Sequence, residues 1–268
     1  MTVDHLGAIL ARKRREIARR LAHAVPARVG QAPPFEARAG AAVDALRRRG
    51  ESPRVIAEIK LRSPSAGVLR AREVGGVARI AQAYVQGGAA AVSVLCDGPG
   101  FGGTPLDVRR AARSVQVPIL FKEFVIDPLQ IDLARAMGAD MVLLLVRALT
   151  PQGLNDLVRE TLRQGMAPVV EAADLAELQV ALRTSASIVG VNARDLRSFR
   201  VDADAALRAV DAIPADRIAV HMSGIASVED LARVAHGRAD AVLIGEALMR
   251  APAPGGRLRE LLAGVAAR

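Results

Sequence analysis

Residues 54–67 read RVIAEIKLRSPSAG, and the first seven of them decide the fold. Val55, Ala57 and Ile59 alternate with Ile56, Glu58 and Lys60, so an extended run places both charges on one face, two residues apart. A charged pair among apolar neighbours needs a polar cavity on that face, because a buried ion without a partner is strongly disfavoured. The run then breaks into Ser63-Pro64-Ser65, and the whole reads as a buried strand ending in a working loop.

Lys60 also stands out by its chemical type. The chain has 37 lysines and arginines together, yet the lysines are only Lys13, Lys60 and Lys122. On a solvated surface the two cations do similar work. Proton transfer separates them, because an ammonium gives up a proton and a guanidinium does not. Two of the three lysines end apolar strand-like runs, VIAEIK and PILFKEF.

Outward from this stretch, eight β-rich runs alternate with helical stretches, at 55–60, 91–95, 119–123, 141–145, 167–171, 188–191, 218–222 and 241–244. Each interval has room for a crossover helix. Runs such as MVLLLV and AVLIG are near-continuously apolar, as in a sheet covered on both faces. Eight βα units predict an α/β fold, a single-domain (β/α)8 TIM barrel. The competing doubly wound open sheet wants a glycine-rich phosphate fingerprint after its first strand, and SPSAG is not one. Residues 6–22, LGAILARKRREIARRLA, place Leu6, Ile9, Leu10, Ile17 and Leu21 at helical spacing, predicting an amphipathic leading helix that docks across the domain. Residues 24–34 read as a linker and residues 35–49 as a second helix. The expected organisation is an N-terminal helical extension over 1–50 and a barrel over 51–268, one domain overall.

Composition narrows the function. At 51% hydrophobic the chain buries a large core, and its single cysteine, Cys96, excludes a disulfide framework and suits a reducing cytoplasm. Neither an apolar signal core nor a long uncharged apolar run is present, so no membrane partner is expected. A formal charge of +9 raises nucleic acid as a partner, but aromatics are only 2% and do not interleave with the arginines, which lie scattered along helical faces. No nucleic-acid partner is expected.

In a barrel of this kind the chemistry sits at the C-terminal ends of the strands. Glu58 and Lys60 fall there, as do Lys122 and Glu123, Glu171, Asn192 and Arg194, and Ser223-Gly224. So many polar groups on one apolar scaffold call for mutual partners or a ligand. Phe101, Phe124 and Phe199 also lie just past strand ends, as candidate walls of an aromatic pocket. Turns at 101–103, 223–225 and 244–248 offer backbone amides, the last two where such barrels often hold phosphate.

Together these pieces resemble the indole-3-glycerol phosphate synthase family of tryptophan biosynthesis. The resemblance is carried in order by IAEIKLRSPSAG, SVLCDGPGFGGTPLDVRRA, PILFKEFVIDPLQI, GADMVLLLV, VVEAADLAEL, VGVNARDLRSF, MSGIASVEDL and ADAVLIGEALM. It implies a carboxy-lyase that converts 1-(2-carboxyphenylamino)-1-deoxyribulose 5-phosphate by ring closure, loss of carbon dioxide and dehydration, with no metal or organic cofactor. It implies Lys122 as general acid, Lys60 as a second acid or electrostatic clamp, Glu171 as general base, Glu58 as the carboxylate orienting the lysine beside it, and Asn192 and Arg194 on the sugar and anionic groups. Ser63, Gly224 and Gly245 match the positions around the phosphate, Ser223 is a further substrate-binding position, and Phe101, Phe124 and Phe199 would sandwich the anthranilate ring. The implied partner is a small phosphosugar, and the expected state is a monomer or weak homo-oligomer.

The chain departs from the family at Ala66, Thr104 and Ala193, and above all at Met222, where the family carries a glutamate. That replacement implies a slower synthase or a more apolar pocket. A paralogue acting on a modified arylamino sugar phosphate, and a catalytically silent barrel kept as a partner domain, remain alternatives.

Overall fold

Eight parallel strands close on themselves in the computed structural model, which describes residues 5–23, 38–64, 66–194 and 202–267. They are β1 (Arg54–Ile59), β2 (Ala91–Leu95), β3 (Ile119–Lys122), β4 (Met141–Leu145), β5 (Ala167–Ala172), β6 (Ile188–Asn192), β7 (Ile218–Met222) and β8 (Ala241–Ile244). Each strand pairs with its sequence neighbours, and β1 closes the ring between β8 and β2, with Ala57 opposite Ile244 and Glu58 opposite Ser93. The expected runs are these strands, with bounds moved by at most one residue.

The period of two that an apolar run hides becomes visible in the packing. Ile56, Leu120, Leu143, Val169, Val220 and Leu243 share the barrel interior, whereas Ala57, Phe121, Leu144, Val170, Ala219 and Ile244 pack outward against the helices. Glu58 and Lys122 keep the inward parity of Ile56 and Leu120, so the strands that build the apolar core also aim charge into its open end.

Helices of the extension meet both ends of this interior. Helix α1 (His5–His23) lays Leu6, Ile9 and Leu10 into the same cluster as Phe101 and Phe124, beyond the C-terminal ends of the strands. Its apolar face is therefore buried on the barrel, as a docked helix requires; the side chain of Leu21 and the linker expected at 24–34 lie outside what is described. At the opposite end, α2 (Ala39–Leu46) inserts Ala42 and Leu46, and Ala39 donates to the Gly165 carbonyl ahead of β5.

The second helix is shorter than the 35–49 expected. Residues 35–37 are outside the described chain, and the helix stops at Leu46 because Arg47 is extended, with ψ 129°. Arg48 then turns its guanidinium onto the carbonyls of Ala235 and Gly237 before β8. One element was not expected: Arg62–Ser63 pairs antiparallel with Gly67–Val68, folding the loop after β1 into a short hairpin. Among the described residues no helix is long and apolar enough to cross a membrane.

Candidate active site

The end of β1 organises the open face of the barrel. Glu58 is only 2% exposed and holds two ammonium groups, Lys122 Nζ at 2.6 Å on Oε2 and Lys60 Nζ at 3.0 Å on Oε1. Burial alone would push its carboxyl up, but Lys122 and then Lys60 outweigh it and hold it at about 2. Glu58 is thus a permanent anion. Lys122 balances the opposite forces, since burial favours the neutral amine while Glu58 and then Glu171 favour the cation and prevail.

A second carboxylate sits in a different environment. Glu171, on β5, is pushed above the usual carboxylate range mainly by burial, against Lys122 and the hydrogen bond from Asn192 Nδ2 to its Oε1 at 2.9 Å. Its Oε2 is buried without a hydrogen-bond partner among the described residues. Asn192, on β6, is oriented in turn, its Oδ1 accepting the Arg194 amide at 3.0 Å. Two glutamates that both act on the charge of one lysine are therefore tuned apart, one fixed as an anion and one able to exchange a proton.

These groups line one cavity together with Ser63, Phe101, Phe124, Arg194 and Ser223. Ser63 Oγ accepts the Ala66 amide at 3.0 Å within the hairpin. Ser223, Gly224 and Gly245 border an adjoining hollow that shares Glu58, Lys60 and Arg194 with the first. Ser223 has φ 68°, in the left-handed region that a residue with a side chain rarely occupies, and Gly224 follows at φ 80°. Such a conformation at a strand end is a recurrent mark of a working loop. At Gly245 the constraint is space, since an added Cβ would collide with Glu58 Oε1.

Phe101 and Phe124, two of the three rings expected around the anthranilate, have ring centroids 6.2 Å apart at a tilt of 34°. They form one aromatic wall. Phe199 lies outside the described residues.

A family model described as indole-3-glycerol phosphate synthase matches residues 6–261. The chain belongs to the indole-3-glycerol phosphate synthase family. Its relatives include an indole-3-glycerol phosphate synthase of Aromatoleum aromaticum, 46% identical over 207 residues that cover 77% of this chain and 78% of that one. Another, from Polaromonas sp. strain JS666, is 40% identical over 260 residues, 96% of this chain and 98% of that one. Among solved structures, 3-hexulose-6-phosphate synthase from Salmonella typhimurium superposes with a TM-score of 0.62 at 16% identity, over 80% of this chain and 99% of that one, which is a likeness of fold.

Within this synthase-family barrel, the expected residues Glu58, Lys60, Lys122, Glu171, Asn192, Ser63, Phe101, Phe124, Arg194 and Ser223 line one cavity. Glu123 borders it too, but its Oε2 is taken by Lys13 of α1 at 3.0 Å. Two charges were passed over in the sequence. Arg147 follows β4, lowers the Glu171 carboxyl and pairs with Glu177 at 3.0 Å; its signal was being the first charge after MVLLLV. Glu246 lines both hollows, and IGEAL carried it in plain sight.

Proposed function

We propose that this chain is an indole-3-glycerol phosphate synthase whose acid and base are the lysine pair on Glu58 and the Glu171–Asn192 pair. The observation that carries this reading is the double ion pair, Lys60 and Lys122 on opposite oxygens of one buried carboxylate, facing a second carboxylate with a raised pKa. General acid and base are thereby present together without either neutralising the other.

The substrate ring carbon that bears the carboxylate attacks the ribulose ketone, and the carbonyl electron pair moves to oxygen, which takes a proton from Lys122. Carbon dioxide then leaves, its bonding pair returning to the ring system. The new hydroxyl departs as water with a second proton from a lysine, and Glu171 takes one proton from the ring. The step sequence consumes one proton overall. Lys122 lines the central cavity with Phe124 and Glu171, whereas Lys60 also borders the hollow with Gly224 and Gly245. This supports Lys122 beside the arylamine and Lys60 toward the phosphate end, where backbone amides at Gly224 and Gly245 and the Arg194 guanidinium suit an anion.

The test is direct. Purified protein mixed with 1-(2-carboxyphenylamino)-1-deoxyribulose 5-phosphate is expected to generate indole fluorescence and an equal amount of carbon dioxide. Absence of both would leave the silent-barrel reading standing.

A further inference from the structure

The aromatic wall hangs from two carboxylates that share a single lysine of the N-terminal extension. Lys13 is 5% exposed and places its ammonium 3.0 Å from Asp97 Oδ1 and 3.0 Å from Glu123 Oε2, with Glu16 also at 3.0 Å. Asp97 is fully buried and caps the short turn Gly98–Phe101: its Oδ2 accepts the Gly100 amide at 2.8 Å, and its main-chain oxygen accepts the Phe101 amide at 3.0 Å. Glu123 does the equivalent for the other ring, its Oε1 accepting the Phe124 amide at 2.8 Å. Glu123 also follows Lys122 directly in the chain.

Glu123 thus uses one oxygen to fix the backbone of Phe124 and the other to bind Lys13, while Asp97 uses one to cap the turn that carries Phe101, at the Gly100 amide, and the other to bind Lys13. We propose that Lys13 is a positioning residue that sets the distance and tilt of Phe101 against Phe124, so that the extension shapes the surface on which the substrate's aryl ring rests. The inference builds on the synthase reading of the cavity. Arg12 joins the same anchor at 2.6 Å from Asp97 Oδ1, and Leu6, Ile9 and Leu10 share an apolar cluster with both rings. Burial would strip the Lys13 proton, but Glu123 and Asp97 keep it a cation. Two buried anions beside one cation also explain why this helix keeps a lysine amid arginines, since a compact ammonium fits between two carboxylates at 3.0 Å better than a planar fork.

The experiment compares wild type with Lys13→Met, Lys13→Arg and Glu123→Gln in steady-state kinetics, with inorganic phosphate as a competing inhibitor. For Lys13→Met the KM is expected to rise about tenfold while kcat stays within about threefold, the pattern of lost uniform binding. The phosphate inhibition constant should not move, because no described residue of α1 lines the hollow bordered by Gly224 and Gly245. A merely structural residue would shift both constants together or only lower the folded fraction. Lys13→Arg keeps the charge but not the compact fit, so its KM should lie between those of wild type and Lys13→Met, and Glu123→Gln should raise the KM in the same direction as Lys13→Met. Should Lys13→Met fail to fold, the other two variants decide alone: a raised KM with unchanged phosphate inhibition for Glu123→Gln supports the clamp. An unchanged KM in every folded variant overturns it. A wild type without turnover overturns the synthase reading instead, and the clamp with it.

Discussion

Glu58 cannot serve as a base near neutral pH, because two ammonium groups hold it at about 2, and in the proposed reaction proton exchange therefore falls to the lysines and Glu171. Lys122→Arg keeps the charge on Glu58 but removes the transferable proton. The kcat for indole formation is expected to fall by about a hundredfold to ten-thousandfold, the worth of general acid assistance. Retention of more than about a tenth of the wild-type rate would transfer the acid role to Lys60. Met222 asks the reverse question. Its thioether fills the space over Gly190, where an added Cβ would meet Cε at 2.5 Å, and the residue is fully buried in the apolar interior, outside the cavity lining. A restored glutamate there would lie among apolar side chains. Met222→Glu is accordingly expected to lower the Tm without raising kcat, contrary to what the family comparison of the sequence implies. A gain in turnover would mean that the carboxylate reaches the lysines after all.

At the scale of elements, β1 is legible in the sequence because alternation, charge spacing and the break at Ser63-Pro64 agree, and the other seven strands follow from apolar runs of the right length. What was not legible is which element each charge meets. Lys13 and Glu123 are 110 residues apart, and no local pattern encodes their contact. The tilt between Phe101 and Phe124 was equally hidden, since a strand-end position fixes where a ring starts and not where it leans. Tyr84 offers a test of how helices support the site. It sits on the helix Gly76–Gln86, fully buried, and its hydroxyl donates to the Glu58 carbonyl at 3.1 Å, behind the catalytic face. Tyr84→Phe leaves that carbonyl with one partner fewer, a cost of about 1–3 kcal/mol. Thermal unfolding should show a Tm lower by about 2–4 °C for each kcal/mol lost in a protein of this size. An unchanged Tm would mean that the hydroxyl adds nothing to the docking of this helix.

For the whole molecule, the same electrostatics predict an acid limit. The folded pKa of Glu58 is about 2 against 4.5 for the ordinary side chain, so its ion pairs stabilise the fold fully above 4.5 and lose that contribution as pH falls toward 2. The shift corresponds to about 3 kcal/mol at most. Glu171, Glu123 and Asp140 work in the other direction, since their raised values mean that the folded state takes up protons more readily and gains from acid. Comparing wild type with Glu58→Gln isolates the first effect. The difference in urea midpoint between them is expected to shrink as pH falls from 6 to 3, and a constant difference would show that the lysines are not what Glu58 contributes.

The three lysines are also the only peptide sites for a lysine-specific protease, and all three are engaged with carboxylates in the native state. Cleavage can therefore begin only where the fold opens. A cut after Lys13 reports the lifting of α1 from the barrel mouth, whereas cuts after Lys60 and Lys122 report the parting of β1 and β3. The rare lysines make this chain a self-labelled recorder of its own breathing, with the first fragment released naming the part that moves first.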